Sequence, residues 1–185
     1  MKATGIVRRI DELGRVVIPK EIRRTLRIRE GDPLEIFTDR DGEVILKKYS
    51  PIGELGEFAK EYAEALYKTM GHLALICDRD TFIAAAGPGK KEYAEQNVSK
   101  EMEQTMEARQ SVLAGNRQNT PPRRLLPQEA DGFSYTAQMI VPVLSEGEAI
   151  GAVVLASRNT DAVFGEAERK VAQTAAGFLG RQLEQ

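Results

Sequence analysis

The chain has 185 residues, of which 26 are Lys or Arg and 28 are Asp or Glu, so its net charge at pH 7 is −2. Hydrophobic residues make up 42% and charged residues 29%, a composition typical of globular proteins that excludes disorder along the whole chain. No apolar run approaches the ~20 residues that cross a bilayer, and a single cysteine excludes an intrachain disulfide. We therefore expect a cytoplasmic protein without a membrane partner.

The small net charge conceals a strong polarity along the chain. Residues 1–29 contain nine basic and three acidic residues, a net of +6. Residues 30–50 carry −3 and residues 51–185 carry −5. Such asymmetry is typical of a module for an anionic ligand joined to a second domain.

The first 50 residues predict a small module with the order β-β-α-β-β. In chain order the predicted elements are a strand at 4–9, a turn at Leu13-Gly14, a strand at 16–18, a helix at 19–27 and a hairpin with strands at 34–37 and 44–46. Pro19 suits the first turn of a helix, and Asp41-Gly42 is a strong hairpin signal. A module this small has little core of its own, so we expect an obligate dimer of interleaved chains.

Residues 51–185 predict an α+β domain with an antiparallel sheet flanked by helices. Its predicted elements are helices at 52–70, 99–109 and about 164–183, hairpins over 73–85 and 135–157, and a long loop at 114–132. The first and last helices carry apolar stripes at spacings of three and four. These stripes suit packing on the domain's own sheet and also an interchain bundle, and both alternatives stay open.

The basic segment contains the main candidate binding residues. On an ideal helix, Lys20, Arg23, Arg24 and Arg27 share one face, opposite Ile22 and Leu26. Arginine suits bidentate contacts to phosphate or to guanine edges. A merely solvated charged face is the alternative, but the scarcity of acids and the doubling of the patch in a dimer favour DNA. Arg8, Arg9 and Arg15 come from the neighbouring strands and turn.

The same segment resembles a known family. The run Gly14-Arg15-Val16-Val17-Ile18-Pro19, followed by Ile22-Arg23-Arg24-Thr25-Leu26 and Gly31-Asp32, resembles the AbrB-type swapped-hairpin DNA-binding domain over essentially residues 1–50. The resemblance implies an interleaved dimeric β-barrel that presents arginines to double-stranded DNA. It assigns DNA contacts to Arg8, Arg9, Arg15, Arg23 and Arg24, with Lys2 and Lys20 as weaker candidates.

The second region resembles a GAF domain. Pro142-Val143 followed by residues 148–155 is similar to the last hairpin of that fold, which would serve as a sensor or assembly domain over residues 51–185. Together the two modules resemble nucleoid-associated regulators of late sporulation genes, which implies activation or repression in the developing spore compartment. If the helices at 55–70 and 164–183 pair between dimers, the protein is a tetramer.

No catalytic constellation, metal site or cofactor motif emerges from the sequence, so we expect a protein that is not an enzyme. Cys77 follows Leu75-Ile76 and is interpreted as a small buried hydrophobic residue, and one histidine with one cysteine cannot form a four-ligand zinc site. Two other functions stay open. One is an antitoxin, and the other is a small-molecule sensor whose first module serves assembly; the effector would be unknown.

Overall fold

The computed structural model describes residues 5–129 and 135–184. The chain divides into two compact units, Met1–Tyr49 and Ser50–Gln185. Each unit is described by itself below.

The first unit contains one short helix and one hairpin. Helix α1 spans Lys20–Thr25, and strands β1, Leu34–Thr38, and β2, Val44–Lys48, pair antiparallel with Ile36 opposite Leu46. The Asp39 side chain closes the turn between the strands, because its Oδ1 accepts hydrogen bonds from the backbone N–H groups of Asp41 and Glu43. The predicted hairpin around Asp41-Gly42 is thereby confirmed.

The two strands predicted at the start of the chain are wrong for the described residues. Residues 5–19 form no strand, and Thr4 lies outside the described part. A strand exists only where a neighbouring segment supplies ladder hydrogen bonds, and within the described residues no β-ladder includes this segment. The predicted turn at Leu13-Gly14 does form, closed by a 3.0 Å hydrogen bond from Gly14 N to Asp11 O.

The predicted helix at 19–27 is also too long. Pro19 is the N-cap of α1, and the helix ends at Thr25. Arg27 has φ +53°, a left-handed conformation that an α-helix does not contain. Arg27 therefore does not belong to the helical face that the sequence predicts.

The second unit has five strands and four α-helices. After α2, Pro51–Glu54, and α3, Gly56–Met70, come β3, Leu73–Asp78, and β4, Phe82–Ala86. A short 3₁₀ helix at Lys90–Glu92 precedes α4, Lys100–Glu107, and β5, Val112–Gly115. The chain ends with β6, Ala137–Ser145, β7, Glu148–Ser157, and α5, Glu166–Gln182. The strands form one antiparallel sheet with the order β4-β3-β7-β6-β5.

Each face of this sheet is covered by a separate hydrophobic core. Helices α3 and α5 pack on one face, where Ile76 and Leu155 lie in the same cluster as Leu66 and Leu179. Helix α4 covers the other face, where Leu75 and Val154 pack with Met102. Successive strand residues alternate between the two cores, so both faces of the sheet are buried.

Most predicted elements of this unit are confirmed, with two corrections. The helix predicted at 52–70 is interrupted at Leu55, which separates α2 from α3. The loop predicted at 114–132 overlaps β5, which pairs with β6 from Val112 opposite Ile140 to Gly115 opposite Ala137. A four-residue strand without its own turn signal leaves little trace in a sequence. Residues 130–132 of that loop lie outside the described part.

Candidate nucleic-acid interface

Helix α1 carries three of the predicted DNA contacts. Lys20 and Arg24 are exposed, whereas Arg23 is half-buried, and its Nε is a buried atom without a hydrogen-bond partner in the described chain. The apolar side of the helix is not covered either, since Leu26 is 56% exposed. Arg23 is therefore less accessible than the helical wheel predicts, and Arg24 is the more open of the pair.

The remaining predicted contacts lie on the segment before α1. Arg8 and Arg9 are exposed, and Arg15 follows the turn at Leu13-Gly14 with 70% of its side chain exposed. The Arg15 Nε lies 2.8 Å from Asp11 Oδ2. Lys2 lies outside the described residues. The predicted DNA contacts among the described residues thus all lie in the first unit. They come from three local structures, namely the start of the chain, the turn and α1.

A second acid, Asp32, to which the sequence analysis assigned no contact, stabilises the chain after α1. The Asp32 Oδ2 atom accepts a 2.8 Å hydrogen bond from the backbone N of Arg29 and lies 3.4 Å from Lys48 Nζ. Lys48 Nζ also donates to the backbone O of Arg27 at 2.8 Å. Strand β2 is thereby joined to the segment that leaves α1. Asp32 follows Gly31 in a turn, and this turn sequence was the signal that could have indicated its structural role.

The first unit buries none of its described residues. Every residue from 5 to 49 is exposed or half-buried in the single chain. Eight large apolar side chains have more than half of their surface exposed: Val7, Ile10, Leu13, Val16, Val17, Leu26, Ile36 and Val44. Apolar exposure on this scale is typical of an interaction surface.

The helical side of the second unit exposes an aromatic cluster. The ring centroids of Phe58, Tyr62 and Phe178 are 5.8 Å apart in each pair, and they join α3 to α5. Phe58 and Phe178 are more than one-third exposed, while Ala59 and Ala175 on the same helices are buried against the sheet. Each helix therefore packs on the home sheet along one edge and presents another edge outward.

The opposite side of the second unit contains a hydrogen-bonded network that sequence reasoning missed. Arg158 donates to Glu92 and to the Tyr93 hydroxyl, which contacts the Tyr135 hydroxyl. Tyr135 donates to Glu129 Oε1 at 2.6 Å, and both residues are buried. Burial raises the pKa of Tyr93 and of Tyr135, so both phenols stay protonated. These residues come from three regions of the sequence, around Tyr93, Tyr135 and Arg158, and no local pattern connects them.

The described residues contain one buried cysteine and neither a cluster of metal-binding side chains nor a helix that could cross a membrane. Among residues 5–129 and 135–184, no three side chains of the metal-binding types come together. Cys77 is fully buried, as predicted, and burial raises the pKa of its thiol. No helix within the same ranges has the length and apolarity that crossing a membrane requires.

The second unit matches a known family model. The model, described as "Stage V sporulation protein T C-terminal, transcription factor", covers residues 54–184. Stage V sporulation protein T of Bacillus subtilis (strain 168) is 60% identical over 185 residues, which are all of this chain and all of that protein. The chain belongs to the stage V sporulation protein T family. The prediction of a sporulation transcription factor is confirmed, since the description of the matching family model names a transcription factor.

The two units have separate similarities. The transition state regulatory protein AbrB of Bacillus subtilis is 69% identical over 51 residues, 28% of this chain and 52% of that protein. A family model for antidote-toxin recognition by the bacterial antitoxin MazE matches residues 7–54. The GAF domain of an Acinetobacter phosphoenolpyruvate-protein phosphotransferase aligns with a TM-score of 0.57 and 15% identity, covering 72% of this chain and 87% of that one. This last likeness concerns the fold, and it confirms the predicted GAF-like α+β architecture of this stage V sporulation protein T relative.

Proposed function

We propose that the chain regulates late sporulation genes by binding double-stranded DNA through the first unit. The observation that supports this most is the set of exposed arginines on a unit 69% identical to the transition state regulatory protein AbrB. The proposed contacts are Arg8, Arg9, Arg15, Arg23 and Arg24, with Lys2 and Lys20 contributing less. Phosphate contacts would position the protein, and arginines in the major groove would read part of the sequence.

The first unit is proposed to work as an interleaved dimer. Eight large apolar side chains that are exposed in one chain would be covered by the second, and residues 5–19, which form no strand in the single chain, would form strands with it. Dimerisation would also double the +6 charge of residues 1–29. If each dimer contacts about six phosphates, the logarithm of the binding constant falls with the logarithm of salt concentration at a slope of about −5.

The second unit is proposed to join two dimers into a tetramer. The exposed rings of Phe58, Tyr62 and Phe178 supply an apolar surface across α3 and α5, and pairing of two such surfaces would bury it. A tetramer would hold two DNA-binding dimers in one particle. Linking them raises the apparent affinity for two nearby sites through effective concentration.

Light scattering of the full chain tests this assembly. Four chains of 20.5 kDa give a mass of about 82 kDa, and the variant Phe178→Glu, which places a charge in the aromatic cluster, should have half of that mass. The matched control is Gln173→Glu, on the same helix about 140° away, which should stay at the mass of the wild type. A wild-type mass of two chains would contradict the tetramer but leave DNA binding by the dimer intact.

The two other functions are distinguished by simple observations. An antitoxin would copurify with a toxin, and the match that supports it covers residues 7–54, whereas the transcription-factor model covers residues 54–184. An unknown small-molecule effector of the second unit stays a prediction. A rise in the melting temperature of the full chain on adding nucleotides or amino acids would support it.

We propose that the protein is located in the developing spore compartment, on the basis of the family resemblance.

A further inference from the structure

Asp11 is one of three acids among the 29 residues at the basic start of the chain, and its carboxylate is in contact with one of the proposed DNA-binding arginines. The Asp11 Oδ2 atom accepts a 2.8 Å hydrogen bond from Arg15 Nε. Counting charges alone, an acid in this place weakens DNA binding. Its geometry indicates a different role.

The Asp11 carboxylate is held rigidly by the turn that it closes. Its other oxygen, Oδ1, accepts hydrogen bonds from the backbone N–H groups of Leu13 at 2.9 Å and Arg15 at 2.8 Å. The backbone of Asp11 also donates to Arg15 O and accepts from Gly14 N, both at 3.0 Å. Gly14 has φ +76°, which glycine adopts without strain. With Oδ1 committed to the backbone, Oδ2 is available for the side chain.

The hydrogen bond to Asp11 uses only one of the five N–H donors of Arg15. A guanidinium carries one N–H at Nε and two at each terminal nitrogen, so four donors remain for a DNA phosphate or a guanine edge. The Arg15 side chain is 70% exposed, and Asp11 is its sole protein partner within residues 5–129 and 135–184. A long side chain fixed before binding loses less conformational entropy when it binds.

We infer that Asp11 is a positioning residue for DNA binding, because it holds the Arg15 guanidinium by Nε and leaves the terminal nitrogens for DNA. This inference rests on the proposed function. The hydrogen bonds from the backbone and side chain of Arg15 also lower the pKa of Asp11, so the carboxylate is ionised at neutral pH.

The variant Asp11→Asn separates positioning from turn formation. The asparagine Oδ1 still accepts the backbone N–H groups of Leu13 and Arg15, but its amide nitrogen cannot accept from Arg15 Nε. We expect the full-length variant to bind a promoter duplex about three- to tenfold more weakly, with an unchanged melting temperature. The matched control is Glu12→Gln, which removes the same charge from the neighbouring exposed side chain and should not weaken binding.

A double-mutant cycle with Arg15→Ala completes the test, read by fluorescence anisotropy at fixed salt. If Asp11 acts through Arg15, Asp11→Asn has no effect on affinity in the Arg15→Ala background. Tighter binding by Asp11→Asn, or an equal loss in both backgrounds, would overturn the inference. If Arg15→Ala alone leaves DNA affinity unchanged, the assignment of Arg15 as a DNA contact fails as well, so the two failures are distinguishable.

Discussion

Replacing Arg24 with alanine gives a sharp test of the proposed DNA contacts. The residue lies in the last turn of α1 and is exposed, and its side chain has no hydrogen-bond or ion-pair partner within the described residues. Alanine is the best helix former, so the substitution removes a charge without removing a contact within the chain. We expect the free energy of unfolding to change by no more than about 0.5 kcal/mol.

The expected effect on DNA binding follows from counterion release. Each phosphate contact contributes about −0.9 to the slope of log K against log salt, and a dimer loses two Arg24 contacts, so the slope becomes about 1.8 less steep. The affinity deficit of Arg24→Ala relative to wild type should therefore shrink about sevenfold between 50 and 150 mM salt. Loss of a non-ionic contact would instead give the same affinity deficit at both salt concentrations.

Anisotropy titrations of the full-length protein at four or five salt concentrations measure this slope. The matched control is Arg40→Ala, the same substitution in the exposed turn between β1 and β2 of the same unit, which should keep the wild-type slope. Parallel slopes for Arg24→Ala and wild type would refute the assignment of Arg24 as a phosphate contact. Equal flattening in both variants would show that net charge, not the α1 surface, sets the affinity.

Three further predictions concern the second unit. Cys77 is fully buried and burial raises the pKa of its thiol, so a thiol reagent should label it only at the rate of unfolding, and full labelling of the folded protein would contradict this. Tyr135→Phe should lower the free energy of unfolding by about 1–3 kcal/mol in denaturant titrations, because Glu129 loses its hydroxyl donor. The control Tyr62→Phe, on the helical face, should change the free energy of unfolding by less than about 0.5 kcal/mol. Burial raises the pKa of Glu101, but hydrogen bonds from the Arg124 side chain and backbone outweigh it and hold the pKa below its ordinary 4.5. The resulting stability is present above that value and is lost as pH falls through the lowered pKa, so Glu101→Gln should reduce the stability difference between neutral and acidic pH seen in melting curves.

Local signals explain which elements the sequence predicts well. The Asp41-Gly42 turn predicts the β1–β2 hairpin. Ser99, the first residue of the helix predicted at 99–109, suits an N-cap, and its Oγ accepts from Met102 N at 3.1 Å at the start of α4. Strands β3 and β7 are long and apolar, and their predicted positions agree with the fold. The β1–β2 turn and the Ser99 cap have their stabilising partners within a few residues, whereas β3 and β7 pair with each other across the sequence and are recognised by their apolar runs.

Three of the failures share a physical cause, since each feature depends on a partner that is not a sequence neighbour. Strand β5 is four residues long and is defined by its pairing with β6, about 25 residues later. The described residues of the strands predicted at 4–9 and 16–18 form no strand in the single chain. The network from Arg158 through Tyr93 and Tyr135 to Glu129 joins three separate regions of the sequence.

The candidate interface was predictable in composition and less so in detail. The sequence indicates which residues are cationic, but it places Arg23 on an open face, whereas its Nε is buried. It also gives no role to Asp11, because a charge count treats an acid in the basic segment as a loss, and none to Asp32 in the acidic segment 30–50. Their hydrogen bonds to backbone N–H groups show that both build the turns beside the arginines.

The most direct test of the account is to locate the surface that touches DNA. Full-length protein can be photo-crosslinked to a duplex that carries 5-iodouracil and digested, and the attached peptides can be identified by mass spectrometry. The account predicts crosslinks within residues 1–29, around the turn at Arg15 and helix α1. Crosslinks confined to residues 50–184, with none in the basic segment, would contradict it.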